Sequence, residues 1–451
     1  MRYLAADFGA GSGRVIVGTV GREGVVLEEI HRFPNRQVRL GGVVHWDFLS
    51  LFEELKQGLK KAFSRYDDIY SIGVDTWGVD FGLLDARGRL ISNPVCYRDL
   101  RTHGILAQVD KKISREDLYA CTGNQLMEIN TAFQLYSMVL HGDPLLTSAR
   151  KLLFMPDMFN YFLSGVAVNE YTIASTSQLL HPGKRCWAKE VFEVLGLPLS
   201  WMQPVVPSGT ILGELLPEVV SETGGNGVKV IAVGSHDTAS AVASIDVPGN
   251  NWAFISSGTW SLMGIKMPEP VLTPVAMELN YTNEGTVDGE FRLLKNITGL
   301  WLLQQVMKEW EAEGIAVAYG DLIDAASRSD LNSTVDVDDA GFSNPRSMRE
   351  AIAAYCAATG QQPPVEPGEY MRCIVLSLAK KYAEVKEQLE QISGRRIDTI
   401  HILGGGSRNT LLNRLTGELT GCRIITGETE ATAIGNIMVQ NRTRLNREYG
   451  L

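Results

Sequence analysis

Tyr3-Leu4-Ala5-Ala6-Asp7-Phe8-Gly9-Ala10-Gly11-Ser12-Gly13-Arg14, continuing to Val20, sets two apolar runs either side of a tip made almost entirely of small residues. Tyr3 to Asp7 and Arg14 to Val20 read as paired strands, and Phe8 to Gly13 as the turn of a hairpin. The same design returns half a chain later, with Trp252-Ala253-Phe254-Ile255, the polar tip Ser256-Ser257-Gly258-Thr259, and then Trp260 to Ile265. A tip without bulk or negative charge lets backbone N–H groups approach phosphate oxygens. Either tip alone is also compatible with an ordinary hairpin turn. Two of them opening successive regions, roughly half a chain apart, weigh toward the phosphate-cradling reading.

Outward from the first hairpin, Val25 to Ile30 reads as a third strand, and Leu51, Leu55, Leu59 and Phe63 mark an amphipathic helix over residues 49–63. Ile69 to Val74 is strand-like and ends at Asp75-Thr76-Trp77-Gly78, and Val79 to Leu84 reads as a further strand before the turn Asp85-Ala86-Arg87-Gly88. Residues 115–195 read as largely helical, Pro204 to Pro217 as irregular linker, and Val228 to Val233 as a strand. The mixture is α/β. After that last strand, Gly234-Ser235-His236-Asp237-Thr238-Ala239 places a carboxylate in a tight turn of small residues. Such a carboxylate suits a general base in a cleft, and equally a helix cap. Further on, Thr399 to Leu403 runs into Gly404-Gly405-Gly406-Ser407-Arg408-Asn409 and a helix carrying Leu411, Leu415 and Leu419. Bare backbone before a helix N-terminus can seat a nucleotide, or serve close strand-to-helix packing. Neither glycine cluster spells G-x-x-x-x-G-K-[ST] or G-x-G-x-x-G, so P-loop and Rossmann readings are set aside.

At 451 residues the chain exceeds one ordinary core and is expected to split into two large domains or three smaller ones. A net charge of -10 argues against nucleic acid or an anionic membrane as partner, though a local basic pocket could still hold an anionic substrate. A small-molecule partner is expected. No apolar run is long enough to span a bilayer, and Met1-Arg2-Tyr3-Leu4 leads into a strand without a signal-peptide core, which makes the cytoplasm the expected compartment. The six cysteines form no C-x-x-C pair, so neither a zinc site nor a thioredoxin-type motif is indicated. Trp77, Trp260 and Trp301 read as core in preference to a sugar-stacking wall. Arg98 and Arg101 read as surface or structural ion pairs in preference to ligand contacts, and His103 as polar surface.

Asp7-Phe8-Gly9, Asp75-Thr76-Trp77-Gly78, His236-Asp237-Thr238, Ser256-Ser257-Gly258-Thr259-Trp260 and Gly404-Gly405-Gly406, in that order, resemble the FGGY family of carbohydrate kinases. Ala10 to Arg14, Ile30 to Phe33, Tyr97-Arg98-Asp99, Met155-Pro156-Asp157 and Leu294 to Ile297 extend the resemblance over nearly the whole chain. It implies two ribonuclease H-like domains of the actin and hexokinase type flanking a cleft: residues 1–246 with the sugar site and catalytic base, 247–451 with the nucleotide site. The implied reaction moves the γ-phosphoryl group of ATP, with Mg2+, to the 1-hydroxyl of a ketose, L-rhamnulose being favoured over L-fuculose or L-xylulose. Asp237 matches the proton acceptor. Gly78, His236, Thr238 and Asn296 match sugar-binding positions, and Ala10, Gly11, Ser12, Gly13, Arg14, Thr259, Gln304 and Gly404 match ATP contacts. Asp7 is a candidate for the magnesium shell through water, or a cap of its own turn. An ATPase of the actin or heat-shock type that phosphorylates no sugar is the reading of a different class, and His236-Asp237-Thr238 weighs against it. Cys356 and Cys373 match a pair that can be bridged in relatives, with reduced thiols expected in a cytoplasmic setting. After Glu430 to Ile437 the tail Asn441 to Arg447 reads as short and polar, in place of a packed terminal helix.

Overall fold

In the computed structural model, which describes every residue except Glu23, Asn344 and Leu451, strand Arg2–Phe8 (β1) is buried on both of its faces. It pairs antiparallel with Ser12–Gly21 (β2), which pairs in turn with Gly24–Pro34 (β3), and on its other side it runs parallel to Ile69–Thr76 (β4). Thr210–Glu214 (β5) and Lys229–Ala232 (β6) complete a sheet of order β5-β6-β4-β1-β2-β3.

Strand alternation divides β1 between two cores. Leu4, Ala6 and Phe8 face helix Phe48–Phe63, whose Leu51, Leu55 and Leu59 recur at one-turn spacing, and Phe8 stacks on Phe159 with ring centroids 4.3 Å apart. That helix starts at Asp47, whose side chain accepts the Ser50 N–H, a cap contributing about 1 kcal/mol. Tyr3 and Ala5 face the other way, against Ala433 and Ile437 of helix Ala431–Tyr449. The approach is close, since a Cβ on Gly18 would stand 2.1 Å from Ile437 Cδ1.

The chain divides into two compact units: Met1–Asp246 with Met267–Leu293 and Glu430–Leu451, and Val247–Lys266 with Leu294–Thr429. In the second unit Trp252–Ser257 (β7) and Trp260–Met267 (β8) form the second hairpin. With Phe291–Thr298 (β9), Thr399–Leu403 (β10) and Arg423–Thr426 (β11), they give the order β9-β8-β7-β10-β11 within a six-stranded sheet whose edge strand beside β9 is Thr282–Gly285. β7, β10 and β11 run parallel.

Four expectations from sequence need correction. The stretch 204–217 is not wholly irregular: β5 pairs antiparallel with β6 as an edge strand, with its register shifting between Ile211 and Gly213, and an edge tolerates the flanking prolines. The strand read from Val79 starts only at Phe81, because Val79 takes a left-handed φ of 66°. The 115–195 stretch is broken by short strands, among them Lys151–Phe154 and Asn169–Glu170. The polar tail continues helix Ala431–Tyr449, whose buried face includes the amides Asn436 and Gln440, so an apolar count missed its amphipathicity.

Candidate functional site

By alternation Asp7 stands on the face of β1 that carries Tyr3 and Ala5, and the parallel register sets Asp75 of β4 directly beside it. Asp75 is fully buried. Its Oδ2 accepts from Asn436 Nδ2 at 2.6 Å, and its Oδ1 has no partner among the described residues. Burial, reinforced by the charges of Asp7 and Asp237, holds the Asp75 carboxyl well above the usual carboxylate range. Helix Ala431–Tyr449 is locked onto this strand by amides. Asn436 Nδ2 also donates to the Gly73 carbonyl at 3.1 Å, Gln440 Nε2 donates to the Leu4 carbonyl at 2.8 Å, and Ser71 Oγ donates to Gln440 Oε1 at 2.6 Å. Only a glycine admits them, because a Cβ on Gly73 would stand 2.6 Å from Asn436 Oδ1.

Across the hairpin from Asp7 sits Arg14. Its Nη2 and Nε donate to Asp7 Oδ2 at 2.6 and 3.0 Å, and Nε lies 3.0 Å from Glu430 Oε2. The guanidinium is thus clasped between two carboxylates. Asp7 therefore accepts from Arg14, whereas the turn closes through its own backbone, the Gly9 N–H donating to the Ser12 carbonyl at 2.9 Å. Asn35 occupies the carbonyls of Gly9 and Gly11 at 2.9 and 3.1 Å, while Ala10 is half-buried and Gly11 exposed at the tip. Gly13 is buried, where a Cβ would stand 2.3 Å from the Phe33 ring.

Asp237 is the first residue of helix Asp237–Ala243, beyond β6. Its Oδ1 accepts from the Thr238 N–H at 2.5 Å and Oγ1 at 3.1 Å, and its side chain is 31% exposed, so Oδ2 remains open to a ligand. Desolvation raises the Asp237 carboxyl, and the His236 charge opposes that rise. His236 is buried, with Nε2 3.4 Å from Asp237 Oδ1 and Nδ1 3.2 Å from Glu284 Oε2. The backbone before it is pinned. Glu170 Oε2 accepts the Ser235 N–H at 3.2 Å, Thr172 Oγ1 accepts the His236 N–H at 3.1 Å, and the Thr76 N–H donates to the Ser235 carbonyl at 2.9 Å. Two residues beyond Thr76, Gly78 leads into the left-handed Val79, a conformation costing a β-branched residue about 1–3 kcal/mol. Thr176 Oγ1 accepts the Val79 N–H at 3.2 Å, and Thr131 Oγ1 donates to the Val79 carbonyl at 2.6 Å, which holds the strained turn in place. Next to it Asp80 accepts from the indole N–H groups of Trp46 and Trp77 at 2.5 and 3.0 Å, and burial pushes its carboxyl up to about 6. Trp77 is accordingly core, and Arg101 is a structural group donating to Gln134 Oε1 at 2.6 Å.

Asp7, the tip residues Ala10 to Arg14, Gly78, His236, Asp237 and Thr238 all belong to the first unit, and Asn296, Thr259, Gln304 and Gly404 to the second. Within the second unit Thr259 Oγ1 donates to Gln304 Oε1 at 3.1 Å. Gly404 follows β10 with φ 79°, where a Cβ would stand 3.0 Å from the Ser257 carbonyl. Asn296 lies on β9. Gly405 and Gly406 open a 3-10 turn, Gly405–Arg408, and helix Thr410–Thr420 begins only after it, so the helix does not start directly behind the glycines. Among the described residues no group of three or more His, Cys, Asp or Glu side chains could by itself hold a metal ion.

Sequence reasoning missed Glu170, Glu284, Arg292 and Glu430. Arg292 did leave a signal, since a lone arginine within Phe291-Arg292-Leu293-Leu294 demands a buried partner. Glu284 left none, because every residue of strand Thr282–Gly285 is buried and no alternation marks it.

Residues 2–243 match the N-terminal domain of the FGGY family of carbohydrate kinases, and residues 253–444 its C-terminal domain. The rhamnulokinase of Bacteroides thetaiotaomicron is 44% identical over 98% of this chain and 90% of its own length. That of Oceanobacillus iheyensis is 40% identical over 97% and 92%. Among solved structures, ligand-bound xylulose kinase from Lactobacillus acidophilus superposes with a TM-score of 0.79 at 13% identity, over 98% of this chain and 89% of that one. Plasmodium falciparum glycerol kinase with ADP gives 0.78 at 14%, over 98% and 90%. The expected two-domain fold of the actin and hexokinase type is borne out by these matches. With both family domains matched in order over nearly every residue, and with the aspartate-ended hairpin and the His-Asp-Thr turn built as described, the chain belongs to the FGGY family of carbohydrate kinases.

Proposed function

We propose that this chain transfers the γ-phosphoryl group of ATP to the 1-hydroxyl of L-rhamnulose, giving L-rhamnulose 1-phosphate and ADP. The observation that carries the mechanism is the divided Asp237 carboxylate, with Oδ1 occupied by Thr238 and Oδ2 open. The choice of ketose is supported by relatives named rhamnulokinase that are 38–44% identical over 97–98% of the chain.

The sugar oxygen forms its bond to the γ-phosphorus, the bond from phosphorus to the bridging oxygen breaks with that oxygen leaving on ADP, and the hydroxyl proton passes to Asp237 Oδ2. His236, Thr238, Gly78 and Asn296 bind and orient the sugar. Thr259, Gln304, Gly404 and the Ala10 to Arg14 tip contact the nucleotide. In this reading the unit built on residues 1–246 is the sugar-binding and catalytic domain and the unit drawn from 247–451 the nucleotide-binding domain, the boundary expected at 246 being crossed by segments 267–293 and 430–450, which pack with the first unit. Most of the acceleration comes from positioning. Arg14 has little charge to spare for phosphate, since Asp7 and Glu430 already flank it.

Mg2+ bound with ATP neutralises phosphate oxygens and is commonly held by one or two carboxylates through water. Asp7 fits that role, and Asp75 stands beside it in register with its buried Oδ1 unpartnered among the described residues. The reaction is assigned to the cytoplasm, as the sequence leads one to expect; in the structure all six cysteines are unbridged. No helix among the described residues is long and apolar enough to cross a membrane.

The test is ADP release with ATP and Mg2+ over L-rhamnulose, L-fuculose and L-xylulose, for the wild type and Asp237→Asn. Turnover greatest with L-rhamnulose and lost in the variant is expected. Turnover greatest with another ketose would reassign the substrate, and sugar-independent hydrolysis untouched by Asp237→Asn would remove the kinase mechanism.

A further inference from the structure

Behind Asp237 lies a line of buried charge that the transfer reaction as written does not use. Arg292 is fully buried on β9, and Glu284, on the neighbouring strand Thr282–Gly285, is 5% exposed at its side chain. Arg292 Nε donates to the Gly285 carbonyl at 3.0 Å, and Nη2 donates to Glu284 Oε2 at 3.1 Å. The same Nη2 stands 3.1 Å from His236 Nδ1, which is 3.2 Å from Glu284 Oε2. One ring nitrogen of His236 therefore meets a donor and an acceptor together, while the other faces the base.

We propose that Glu284 and Arg292 are positioning residues that act jointly on His236 Nδ1 so that Nε2 always presents its proton to Asp237 Oδ1. The inference rests on the reading of Asp237 as the general base. With a neutral ring, Arg292 donates to the Nδ1 lone pair and the proton must sit on Nε2. With a charged ring, Glu284 accepts the Nδ1 proton and Nε2 carries the other. The tautomer excluded in both cases is the one that would turn a lone pair toward the carboxylate. Oδ1 is thereby held by Thr238 and His236 together, and the substrate proton is directed to Oδ2.

The other charged and titratable groups around this line are Asp7 and Asp75, which face Asp237 from β1 and β4, and Glu170 and Tyr171, which face Arg292. None of these stands at Nδ1. The His236 and Arg292 charges draw the Glu284 carboxyl down against the desolvation that would raise it, consistent with an ionised acceptor there.

The experiment follows kcat and KM for ketose and ATP against pH in wild type, Glu284→Gln, Glu284→Asp and Asp237→Asn. Neutralising Glu284 removes the counter-charge that favours a cationic ring, so the acid limb of kcat should move up by about one pH unit, a tenfold loss on that limb. KM for ATP should stay within about twofold, and Glu284→Asp should restore most of the limb. A Glu284→Gln profile that superposes on wild type, while Asp237→Asn is inactive, would overturn the positioning role and leave the base intact. An active Asp237→Asn would instead remove the base reading itself. Nitrogen NMR of His236 in the labelled full-length wild type, assigned with His236→Asn, is independent of turnover and of whether Glu284→Gln folds. Protonated Nε2 throughout the accessible pH range is expected, and an unprotonated Nε2 at any pH would refute the proposal.

Discussion

Strands β1 and β7 hold the same place in their sheets, each with an antiparallel hairpin partner on one side and a parallel strand on the other, yet β1 ends in Asp7 and Phe8 and β7 in Ser256 and Ser257. In the first unit the equivalent face gathers Asp7, Asp75, Arg14 and Glu430, with Asp237 beyond β6. In the second it gathers hydroxyls, an amide and glycines: Thr259, Gln304, Gly404 and Gly406. On the proposed function the difference lets one scaffold support two tasks. On that assignment the first unit's carboxylates, which repel a polyphosphate and accept protons, serve the base beside the sugar, and only its small-residue tip, Ala10 to Arg14, meets the nucleotide. Neutral donors and bare backbone admit a polyanion without a competing negative charge, so the second suits the nucleotide.

Asp237→Asn should separate these tasks most sharply. The amide keeps the shape and cannot take the proton, so kcat should fall by about 10²–10⁴, the usual worth of a general base, with nucleotide affinity unchanged by calorimetry. A comparable loss of ATP binding would mean that the carboxylate also supports the nucleotide, and the division would blur. The converse change in the second unit is Gly406→Ala. Its Cβ would stand 2.0 Å from Ser257 Oγ and 2.6 Å from Ser257 Cβ, overpacking that costs about 1–3 kcal/mol. Raised KM for ATP and lowered Tm, with sugar KM and the kcat pH profile preserved, are the outcomes that would keep the tasks apart.

The frame of both units was legible in the sequence because it depends on local pattern. The two hairpins, helix Phe48–Phe63 with its leucines one turn apart, and the Gly404 to Gly406 turn all announce themselves by periodicity or by glycine. What was not legible depends on distant partners. Asp75 was visible as a strand end, but its unusual state arises from burial beneath Asn436, 361 residues away. Helix Ala431–Tyr449 hid because amides stand on its buried face where an apolar residue is the normal signal. β5 hid because prolines flank it, and Val79 because no propensity marks a valine held left-handed by Thr176. Of the site, motif resemblance supplied His236-Asp237-Thr238, whereas the carboxylate and guanidinium behind His236 lie on strands whose only sequence mark is the single Arg292.

A smaller effect distinguishes the units by pH. Burial raises Asp75, Asp80, Asp157 and Glu170 in the first unit. Each keeps its proton in the fold after the unfolded chain has lost it, so from about pH 4 up to its folded value each subtracts about 1.4 kcal/mol of stability per pH unit. In the second unit the Met348 N–H and Arg349 outweigh desolvation at Glu309, and the Ile397 N–H and Lys386 do so at Glu390, so both carboxyls are lowered. Their stabilisation is present at neutral pH and fades as pH falls through their folded values. Hydrogen exchange corrected for intrinsic rates should therefore show the first unit losing protection as pH rises from about 4 through about 6, the folded value of Asp80, while the second holds or gains it. Asp75→Asn should flatten the first unit's dependence, and a steeper one would contradict the neutral carboxyl inferred for Asp75.

Thr259→Val should give the smallest change and the finest test. Valine keeps the volume of threonine and loses only the hydroxyl that donates to Gln304 Oε1. Gln304 is partly exposed, so water can replace the lost donor, and the net cost is that of one neutral hydrogen bond, about 0.5–1.5 kcal/mol. At the nucleotide this corresponds to a rise in KM for ATP of about 2- to 12-fold. The Thr259–Gln304 pair carries no charge and no titrating group, so sugar KM and the acid limb of kcat should stay where they are. If the limb moved as it does on neutralising Glu284, a neutral hydroxyl would be setting a proton equilibrium through no charge of its own, and the assignment of proton chemistry to the first unit alone would have to be abandoned.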